Sequence, residues 1–423
     1  MEFAGEIADP VHRSIRFSQV EKEVIDTPAF QRLRRIRQLA GAHLVYPSAQ
    51  HSRFEHSLGA MHIAGLAGET LLGKGYIDQA EAVQDLRLGA LLHDIGHGPF
   101  SHLFEEVLEY RCNTTHEEMG KRIIMQTEIA DILTKHGHSA DLICRLSFGQ
   151  PKMNFMNEII SGGLSADIMD YLPRDGFFTG AEYAKVDYHR LTSSLEVSKN
   201  RLALNRSALN SLESMLISRY EMFKAVYFHK TVRSAEVMLM HSMTAADEAL
   251  GLTDTSSLHN YLGLTDEATL ERLCALGDGK QTFAGKMARD YRERRLLKSV
   301  YEKFLHKRDK QRMDRKALQT TASRIADAAG VERNYVFVDA SRAPSMPLTP
   351  SKEEMFSVLV VDKDRVYEVP VSEIPLVESI SGFFDMLRVY TTAENRERVE
   401  RSVKKVLGDQ ETLYMGAGKL GHY

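Results

Sequence analysis

The chain has 423 residues and a formal net charge of −4, with 43% hydrophobic and 26% charged residues. The nearly balanced charge excludes proteins that bind nucleic acid or anionic membranes through overall charge. The three cysteines, at 112, 144 and 274, have no CxxC spacing, which excludes a disulfide framework and a thiolate zinc site. Because no basic-apolar leader opens the sequence and no apolar run reaches membrane-spanning length, we expect a cytoplasmic protein without a membrane partner.

The first forty residues predict an arm followed by two helices. Gly5–Phe17 has few periodic apolar positions and is expected to be extended. Apolar spacing over Val20–Leu39 predicts two helices separated at Asp26–Pro28, with Asp26 or Thr27 as the N-cap. The second helix carries Arg32, Arg34, Arg35 and Arg37. Such a run is typical of a solvated helix face, and a phosphate or nucleotide contact is the alternative.

Histidines cluster around the next two predicted helices. Arg53 and His56 stand three residues apart, before the apolar segment Ala60–Leu72, so one helix places them side by side. Leu86–Leu92 predicts a buried helix that ends near Gly96 and delivers the adjacent pair His93 and Asp94. A divalent metal satisfies such a buried polar pair better than solvent does.

Further candidate groups lie on later helices. A helix is predicted to begin at His116, with Thr114 or Thr115 as its cap. Asp167, Tyr171 and Asp175 recur every four residues and share one helix face, although Pro173 is expected to kink or end that helix. A long helical pattern follows over Leu212–His241.

The C-terminal part changes character. Helices are predicted over 256–279 and Met287–Arg315, followed by strands at Asn334–Val338, Ser357–Val361 and Arg365–Val369 with a coil at Ala343–Ser351. Helices around Ile380–Val389 and Ala393–Leu407 complete a small α+β module. We therefore expect a mostly α protein with a catalytic helical core at 1–245, a helical extension at 246–330 and an α+β module at 331–423 that serves oligomerisation.

The candidate site combines nitrogen and carboxylate ligands on three helices. His56, His93, Asp94 and Asp167 suit manganese, iron, magnesium, zinc or nickel, and ligand type alone does not choose among these ions. Such a metal with bound water performs hydrolysis. Arg53 is the candidate anion clamp, His97 and His102 are donors to phosphate oxygens, and His116 is the candidate general acid.

At these residues the sequence resembles the HD-domain phosphohydrolase superfamily, and within it the deoxynucleoside triphosphate triphosphohydrolases. The resemblance rests on linked blocks rather than on the doublet alone, and it covers the first half of the chain. These blocks are Ile25–Arg34, His51–Gly59, His93–His102, His116-Glu117, Asp170-Tyr171, Arg174-Asp175 and Tyr227–Lys230.

The resemblance implies an HD-domain helical bundle that acts as a homodimer or homotetramer. It implies metal ligands His56, His93, Asp94 and Asp167, and attack of water on the α-phosphorus that releases a deoxynucleoside and triphosphate. It assigns phosphate contacts to Arg53, His97, His102, Arg219 and Lys230; catalysis to His116 with Glu117; sugar contacts to Gln38, Tyr171 and Asp175; a sugar or base contact to Tyr227; and an allosteric guanine-nucleotide site to Asp26, Gln31 and Arg34.

The sequence also departs from the pattern of the animal enzymes. Ile168 replaces a lysine that contacts phosphate, and Gly5, Ala8 and Ser14 replace polar or basic nucleotide-contacting residues. Two alternatives therefore remain: an HD phosphohydrolase of another specificity, such as a nucleotidase or phosphodiesterase, and a non-catalytic sensor. The sensor would bind nucleotides or nucleic acid through the basic run at 32–37.

Overall fold

The structure, a computed structural model, describes residues 2–149, 154–277, 282–306, 315–342, 357–363, 365–370 and 383–408. The chain divides into two compact units. The first comprises 1–295 together with 345–381, and the second comprises 296–344 and 382–423. These boundaries differ from the expected ones at 245 and 330, because one helix runs through residue 245 and the strands at 357–370 pair within the first unit.

The first unit is mainly helical. Its helices are α1 (Gln19–Ile25), α2 (Pro28–Gln31), α3 (Arg53–Gly73), α4 (Ala80–Leu92), α5 (His102–Cys112), α6 (His116–Gln126), α7 (Glu128–Lys135), α8 (Ala140–Phe148), α9 (Phe155–Ser161), α10 (Ala166–Thr179), α11 (Tyr188–Ser193), α12 (Leu209–Met222), α13 (Lys230–Leu250), α14 (Leu258–Leu262), α15 (Asp266–Ala275) and α16 (Phe283–Arg292). Side-chain caps start many of them. Thr27 caps α2, and Thr115 with Glu118 forms a capping box on α6.

The described residues of the first unit also form six strands. They are β1 (Gly5–Asp9), β2 (Arg13–Phe17), β3 (Leu195–Ser198), β4 (Arg201–Asn205), β7 (Ser357–Asp362) and β8 (Arg365–Pro370). The predicted arm is an antiparallel hairpin in which Ile7 pairs with Ile15. The second sheet has the order β3-β4-β7-β8, and β4 pairs in parallel with β7. The strands predicted at Ser357–Val361 and Arg365–Val369 are confirmed as β7 and β8, which pair antiparallel.

Three helices differ from their predicted form. The second predicted helix is only α2, and a 3-10 turn over Arg32–Arg35 follows it. The helix α10 continues through Pro173, because the residues that flank the proline are buried and Arg174 is bound to acidic partners on both sides. The pattern over 212–241 is split by a π-helical turn at Phe223–Tyr227 into α12 and α13.

The second unit is an α+β module. Its elements are β5 (Lys298–His306), α17 (Arg315–Ala329), β6 (Val336–Arg342), β9 (Phe383–Thr391) and α18 (Arg396–Leu407). The antiparallel sheet has the order β5-β9-β6. Leu387 and Val389 on the sheet share a core cluster with Ile325 of α17 and with Val399 and Val403 of α18.

Two predicted helices of this region are wrong. The segment Met287–Arg315 contains the end of α16 and the strand β5, and Ile380–Val389 overlaps β9. In β9 the core side chains Leu387 and Val389 alternate with period two, which the helical prediction overlooked. The coil expected at Ala343–Ser351 lies outside the described residues. Within the described ranges, no helix combines the length and apolar character needed to cross a membrane.

Candidate metal centre and its surroundings

Four side chains with metal-ligand atoms converge where α3, α4 and α10 meet. His56 lies in α3, His93 follows the last residue of α4, and Asp167 lies in the first turn of α10. The ligand atoms of His56, His93 and Asp94 all lie within 4.8 Å of one another. Asp167 Oδ1 lies 3.1 Å from His56 Nε2 and 3.9 Å from His93 Nε2. The structure thus brings the four predicted ligands together.

The buried nitrogens of this cluster fit a divalent metal. The Nε2 atoms of His56 and His93 are buried, and within the part of the chain that the structure describes neither makes a hydrogen bond of good geometry, although the Asp167 carboxylate lies beside both. An unpaired buried polar atom is costly, and a cation held between these nitrogens and the carboxylates removes that cost. The side chain of Asp167 is 34% exposed, so the cluster is open to water or substrate on that side.

The other ring nitrogen of each histidine is fixed by the protein. His56 Nδ1 lies 2.8 Å from Asp170 Oδ2, and His93 Nδ1 lies 2.7 Å from the carbonyl oxygen of Ala90. Because that carbonyl can only accept, His93 donates its Nδ1 proton to it and presents the lone pair of Nε2 to the cluster.

Charges within the cluster stabilise one another. Burial alone would lower the pKa of His56, but the carboxylates of Asp167 and Asp170 outweigh it and raise that pKa to about 10. Burial would raise the pKa of Asp94, but Arg53 and the neighbouring histidines hold it well below its ordinary value. Asp94 is therefore anionic at neutral pH, the form that binds a cation.

Arg53 provides the anion-binding side of the cluster. Its Nη1 contacts the Asp94 carboxylate, and its Nε donates a 2.7 Å hydrogen bond to Ser101 Oγ. Ser101 adopts a positive φ of 57°, and its hydroxyl donates to the carbonyl oxygen of Arg37 at 2.8 Å. A buried guanidinium held at two of its nitrogens keeps one orientation, which phosphate recognition requires. Ser101 is not among the predicted site residues.

The three other predicted histidines form a cluster next to Asp94. His97 Nε2 lies 3.4 Å from Asp94 Oδ1, and its ring stacks on His116 with the centroids 4.0 Å apart. The ring of His102 lies edge-on to His97 at 4.9 Å, although its side chain is 71% exposed. Burial and the charge of Arg53 lower the pKa of His97 well below its ordinary value, so this ring is neutral at neutral pH.

Glu105, which is not among the predicted site residues, joins His102 and His116. Its carboxylate contacts His116 Nδ1 and lies 3.2 Å from His102 Nδ1. Burial would raise the pKa of Glu105, but the two histidines hold it far below its usual range. The available sequence signal was the i, i+3 spacing from His102 on α5. The predicted catalytic Glu117 is exposed on the first turn of α6, so Glu105 rather than Glu117 holds the ring of His116.

The loop that carries His97 is held by residues from distant parts of the chain. The buried guanidinium of Arg32 donates to the carbonyl oxygens of Ile95 at 3.0 Å and His97 at 2.7 Å. Tyr261 Oη donates to the carbonyl oxygen of Gly96 at 2.7 Å. Gly96 itself is required by packing, since a Cβ there would lie 1.9 Å from the carbonyl oxygen of His116. The backbone of this loop is therefore fixed on both sides.

Asp266 connects this region to the basic run. Its carboxylate accepts hydrogen bonds from the backbone N–H groups of Phe100 at 2.7 Å and Arg37 at 3.0 Å. Arg37 also pairs with Glu267, whereas Arg32 is buried and donates to carbonyl groups. The arginine run was expected to form a solvated helix face. Of its four arginines, only those at 34 and 35 are exposed.

The residues expected to contact the sugar surround Asp175. Its Oδ2 accepts a 2.6 Å hydrogen bond from Tyr227 Oη, and its Oδ1 lies 2.7 Å from His51 Nε2. Tyr171 lies one turn earlier on α10, with its ring 6.5 Å from that of Tyr227 and 5.7 Å from the guanidinium of Arg219. Asp167, Tyr171 and Asp175, which recur every four residues, thus lie on one helix, as predicted.

Two further predicted contacts have buried polar atoms available to a ligand. Gln38 Oε1 and Arg219 Nε are buried and have no hydrogen-bond partner among the described residues. Lys230 is the first residue of α13 and is exposed.

The predicted allosteric residues lie on one surface near α2. Gln31 Nε2 donates to the carbonyl oxygen of Ile25 at 2.9 Å, and Arg34 Nε donates to Gln31 Oε1 at 2.8 Å. The guanidinium of Arg34 lies 3.5 Å from the ring centroid of Phe54, and Asp26 is exposed after α1. Gln31 thus links Arg34 to the end of α1, next to Asp26.

Comparison with protein families agrees with this geometry. A family model described as HD domain matches residues 53–175, and one described as HD associated region matches residues 186–413, more than half of the chain. The chain belongs to the HD-domain phosphohydrolase family. The HD-domain segment contains His56, His93, Asp94 and Asp167, whereas Tyr261 and Asp266 come from the HD-associated region.

Some of the similar proteins are named for an activity and others are uncharacterized. An uncharacterized protein of Methanocaldococcus jannaschii is 38% identical over 56% of this HD-domain chain and 49% of its own length. The chain therefore spans about half the length of that relative. The Dictyostelium discoideum protein named deoxynucleoside triphosphate triphosphohydrolase SAMHD1 homolog is 28% identical over 86% of this chain and 74% of its own. The crystal structure of a hypothetical protein from Aquifex aeolicus matches with a TM-score of 0.77 and 30% identity, covering 95% of this chain and all of that one.

Proposed function

We propose that this HD-domain protein is a metal-dependent deoxynucleoside triphosphate triphosphohydrolase that releases a deoxynucleoside and intact triphosphate. The observation that carries the proposal is the fixed guanidinium of Arg53 beside the two unpaired nitrogens of His56 and His93. A metal centre next to an oriented cation suits attack on a phosphate. The similarity to a Dictyostelium protein named for this activity supports the substrate class.

The four-residue cluster at 56, 93, 94 and 167 would hold the metal. When bound, a divalent ion would lower the pKa of a water molecule and offset charge on a phosphoryl oxygen. The nitrogen and oxygen donors accept manganese, iron, magnesium, zinc or nickel. Around this centre, Arg53, His97, His102, Arg219 and Lys230 would bind the phosphate oxygens of the substrate.

His116 would supply the proton that the reaction needs. The oxygen of water forms a bond to the α-phosphorus, and the bond from that phosphorus to the 5′ oxygen of the deoxynucleoside breaks. The leaving 5′ oxygen takes up a proton, for which His116 is the donor, and the attacking water releases one proton to solvent, from which His116 is protonated again. The ionised carboxylate of Glu105 contacts the Nδ1 of His116 and stabilises the protonated ring.

Residues around Asp175 would recognise the deoxyribose. Gln38 and Asp175 would bind its hydroxyl, and Tyr171 would pack against the ring where a ribonucleotide carries an additional 2′ hydroxyl. Tyr227 would lie beside the sugar or base, since its hydroxyl already holds Asp175 in place. This arrangement would favour deoxynucleotides because the aromatic ring leaves no polar partner for the extra hydroxyl.

Two other functions remain as alternatives, each with one supporting observation. A phosphohydrolase of another specificity is favoured by Ile168, a buried apolar residue next to Asp167. A nucleotide or nucleic-acid sensor is favoured by the exposed Arg34 and Arg35. The burial of Arg32 reduces the basic surface available to nucleic acid, so we favour the enzyme.

Self-association and regulation belong to the same proposal. The family resemblance supports a homodimer or homotetramer whose C-terminal module contributes to assembly, and light scattering on the purified chain would test it. The cysteine usage favours a cytoplasmic location. Asp26, Gln31 and Arg34 are the residues proposed to bind an activating guanine nucleotide.

The decisive experiment is product analysis. The purified chain is incubated with manganese and each of the four deoxynucleoside triphosphates, with and without GTP or dGTP, and the products are separated by chromatography. We expect deoxynucleoside and intact triphosphate. Stepwise release of single phosphates would identify a phosphatase, whereas salt-sensitive RNA binding without turnover would identify the sensor.

Ligand variants test the metal centre in the same assay. We expect His93→Ala and Asp94→Ala to abolish metal-dependent turnover. The control is His138→Ala, which removes a partly buried histidine paired with Asp85 outside the site. Turnover that survives in both ligand variants would contradict the proposed role of the metal.

A further inference from the structure

Asp170 joins the N-terminal hairpin to the candidate metal ligand His56. Its Oδ1 lies 2.6 Å from His12 Nε2, and its Oδ2 lies 2.8 Å from His56 Nδ1. Arg174, one turn later on α10, donates to both oxygens at 2.8 Å. The side chains of all four residues are fully buried. Asp170 is thus surrounded by donors from three different elements.

The turn of the hairpin is built to deliver His12 to this position. Asp9, the last residue of β1, accepts hydrogen bonds through Oδ1 from the backbone N–H groups of Val11 at 2.9 Å and His12 at 2.8 Å. Its Oδ2 accepts a 2.8 Å hydrogen bond from Arg174. Asp9 therefore shapes the turn and attaches it to the same arginine that holds Asp170.

The packing around Asp170 leaves little room for an alternative arrangement. A Cβ at Gly59 would lie 1.7 Å from Asp170 Oδ1, so the carboxylate rests directly on the backbone of α3. A buried carboxylate is stable only when its oxygens are satisfied, and a missing donor leaves an uncompensated charge. Without His12, Asp170 Oδ1 keeps only its hydrogen bond from Arg174, so the carboxylate loses one of its two restraints at that oxygen and is free to shift.

Such a shift would reach the metal centre through His56. The orientation and basicity of a metal-binding imidazole depend on the acceptor of its second ring N–H, here Asp170. We propose that Asp9 and His12 are positioning residues for the metal centre: the N-terminal hairpin completes the buried network that orients His56, and metal affinity depends on its contacts. The inference rests on the metal centre of the proposed function and is independent of the substrate.

Manganese binding by the full-length chain without substrate tests this inference. The dissociation constant of Mn²⁺ is measured by competition with a chromophoric chelator for wild type, His12→Ala and Ser14→Ala. We expect affinity to fall about tenfold or more in His12→Ala. Ser14→Ala is the matched control, because it removes an exposed hydroxyl of the same hairpin that contacts only Glu6 through its side chain. We expect it to bind as wild type does.

Two more variants separate positioning from general stability. His12→Gln keeps an N–H donor and should recover part of the lost affinity, which a merely structural role does not predict. Asp9→Asn keeps an oxygen for the turn but faces Arg174 with an amide, and should weaken Mn²⁺ binding several-fold. This variant decides the question if His12→Ala does not fold.

The outcomes distinguish this inference from the proposed function. If folded His12→Ala binds Mn²⁺ with wild-type affinity, the inference is wrong and the proposed function is unaffected. If His12→Ala does not fold, wild-type affinity in Asp9→Asn has the same meaning. If wild type binds Mn²⁺ but hydrolyses no deoxynucleoside triphosphate, the proposed substrate is wrong. The Mn²⁺ affinities of the hairpin variants still test the positioning role of His12 and Asp9. A wild-type chain that binds no Mn²⁺ overturns both.

Discussion

The hydroxyl of Tyr261 donates a 2.7 Å hydrogen bond to the carbonyl oxygen of Gly96, the residue between Ile95 and His97. Tyr261 belongs to the HD-associated region and Gly96 to the HD domain. The associated region therefore contacts the backbone of the loop that carries a proposed phosphate-binding histidine.

Removal of this hydroxyl tests the contact directly. We expect Tyr261→Phe to lower the free energy of unfolding by about 1–2 kcal/mol, because the buried Gly96 carbonyl loses a donor. We also expect a lower kcat, since His97 shifts with its loop. Urea unfolding and steady-state kinetics measure the two effects. Tyr183→Phe, at an exposed tyrosine, should change neither; equal behaviour of the two variants would refute the role of Tyr261.

Asp266 should make stability depend on pH. Burial raises its pKa to about 6, above the ordinary value of 3.8, so the folded state holds this proton more tightly than the unfolded state. Its contribution is complete below about pH 4 and is lost as pH rises through 6. This difference in pKa between the folded and the unfolded state corresponds to about 3 kcal/mol. We therefore compare the free energy of unfolding of wild type with that of Asp266→Asn. The difference, wild type minus variant, should decrease as pH rises from 4.5 to 7, and a difference that does not change with pH would contradict this assignment.

Glu105 should matter for turnover more than for folding. In Glu105→Gln the protonated form of His116 loses its anionic partner, so we expect kcat to fall by about 100-fold and the basic limb of the pH–rate profile, where the general acid loses its proton, to move to lower pH. The comparison is Glu109→Gln, an exposed residue one turn later on α5. If Glu105→Gln retained the wild-type kcat and pH profile, His116 would not depend on this carboxylate.

Tyr171 should set the preference for deoxynucleotides. Tyr171→Ala opens space between Arg219 and Tyr227, and we expect the ratio of kcat/KM for dATP over ATP to fall at least about tenfold. Initial rates with both nucleotides measure this ratio. Tyr220→Ala, on the next helical face of α12, serves as the comparison. An unchanged ratio would remove the proposed sugar contact.

The metal cluster could be predicted because its signals are local. The adjacent His93 and Asp94 end a buried helix, and the four-residue recurrence from Asp167 to Asp175 fixes a helix face. Pro173 was misleading because tertiary contacts of Arg174 outweigh the loss of one backbone hydrogen bond. Charge-rich strands such as β5 carry a helix-like composition, and pairing with β9 decides their conformation.

The supporting contacts could not be predicted in the same way. His12 and Asp170 are 158 residues apart, and Arg32 and Leu264 are 232 apart. A single sequence contains no signal for such pairs, because each residue alone is compatible with a surface position. Arg32 shows this clearly: an arginine run indicates exposure, yet three backbone carbonyls bind its guanidinium in the interior.

The parallel pairing of β4 with β7 has a consequence for synthesis on the ribosome. Ala203–Asn205 pairs with Leu359–Val361, so the first unit lacks two strands of its sheet until those residues emerge. In the second unit β9 is the central strand, and β5 and β6 have no sheet partner before residue 383 is made. The sheet of the first unit therefore waits for residue 370 and that of the second for β9, and long nascent chains should expose unpaired strand edges to chaperones.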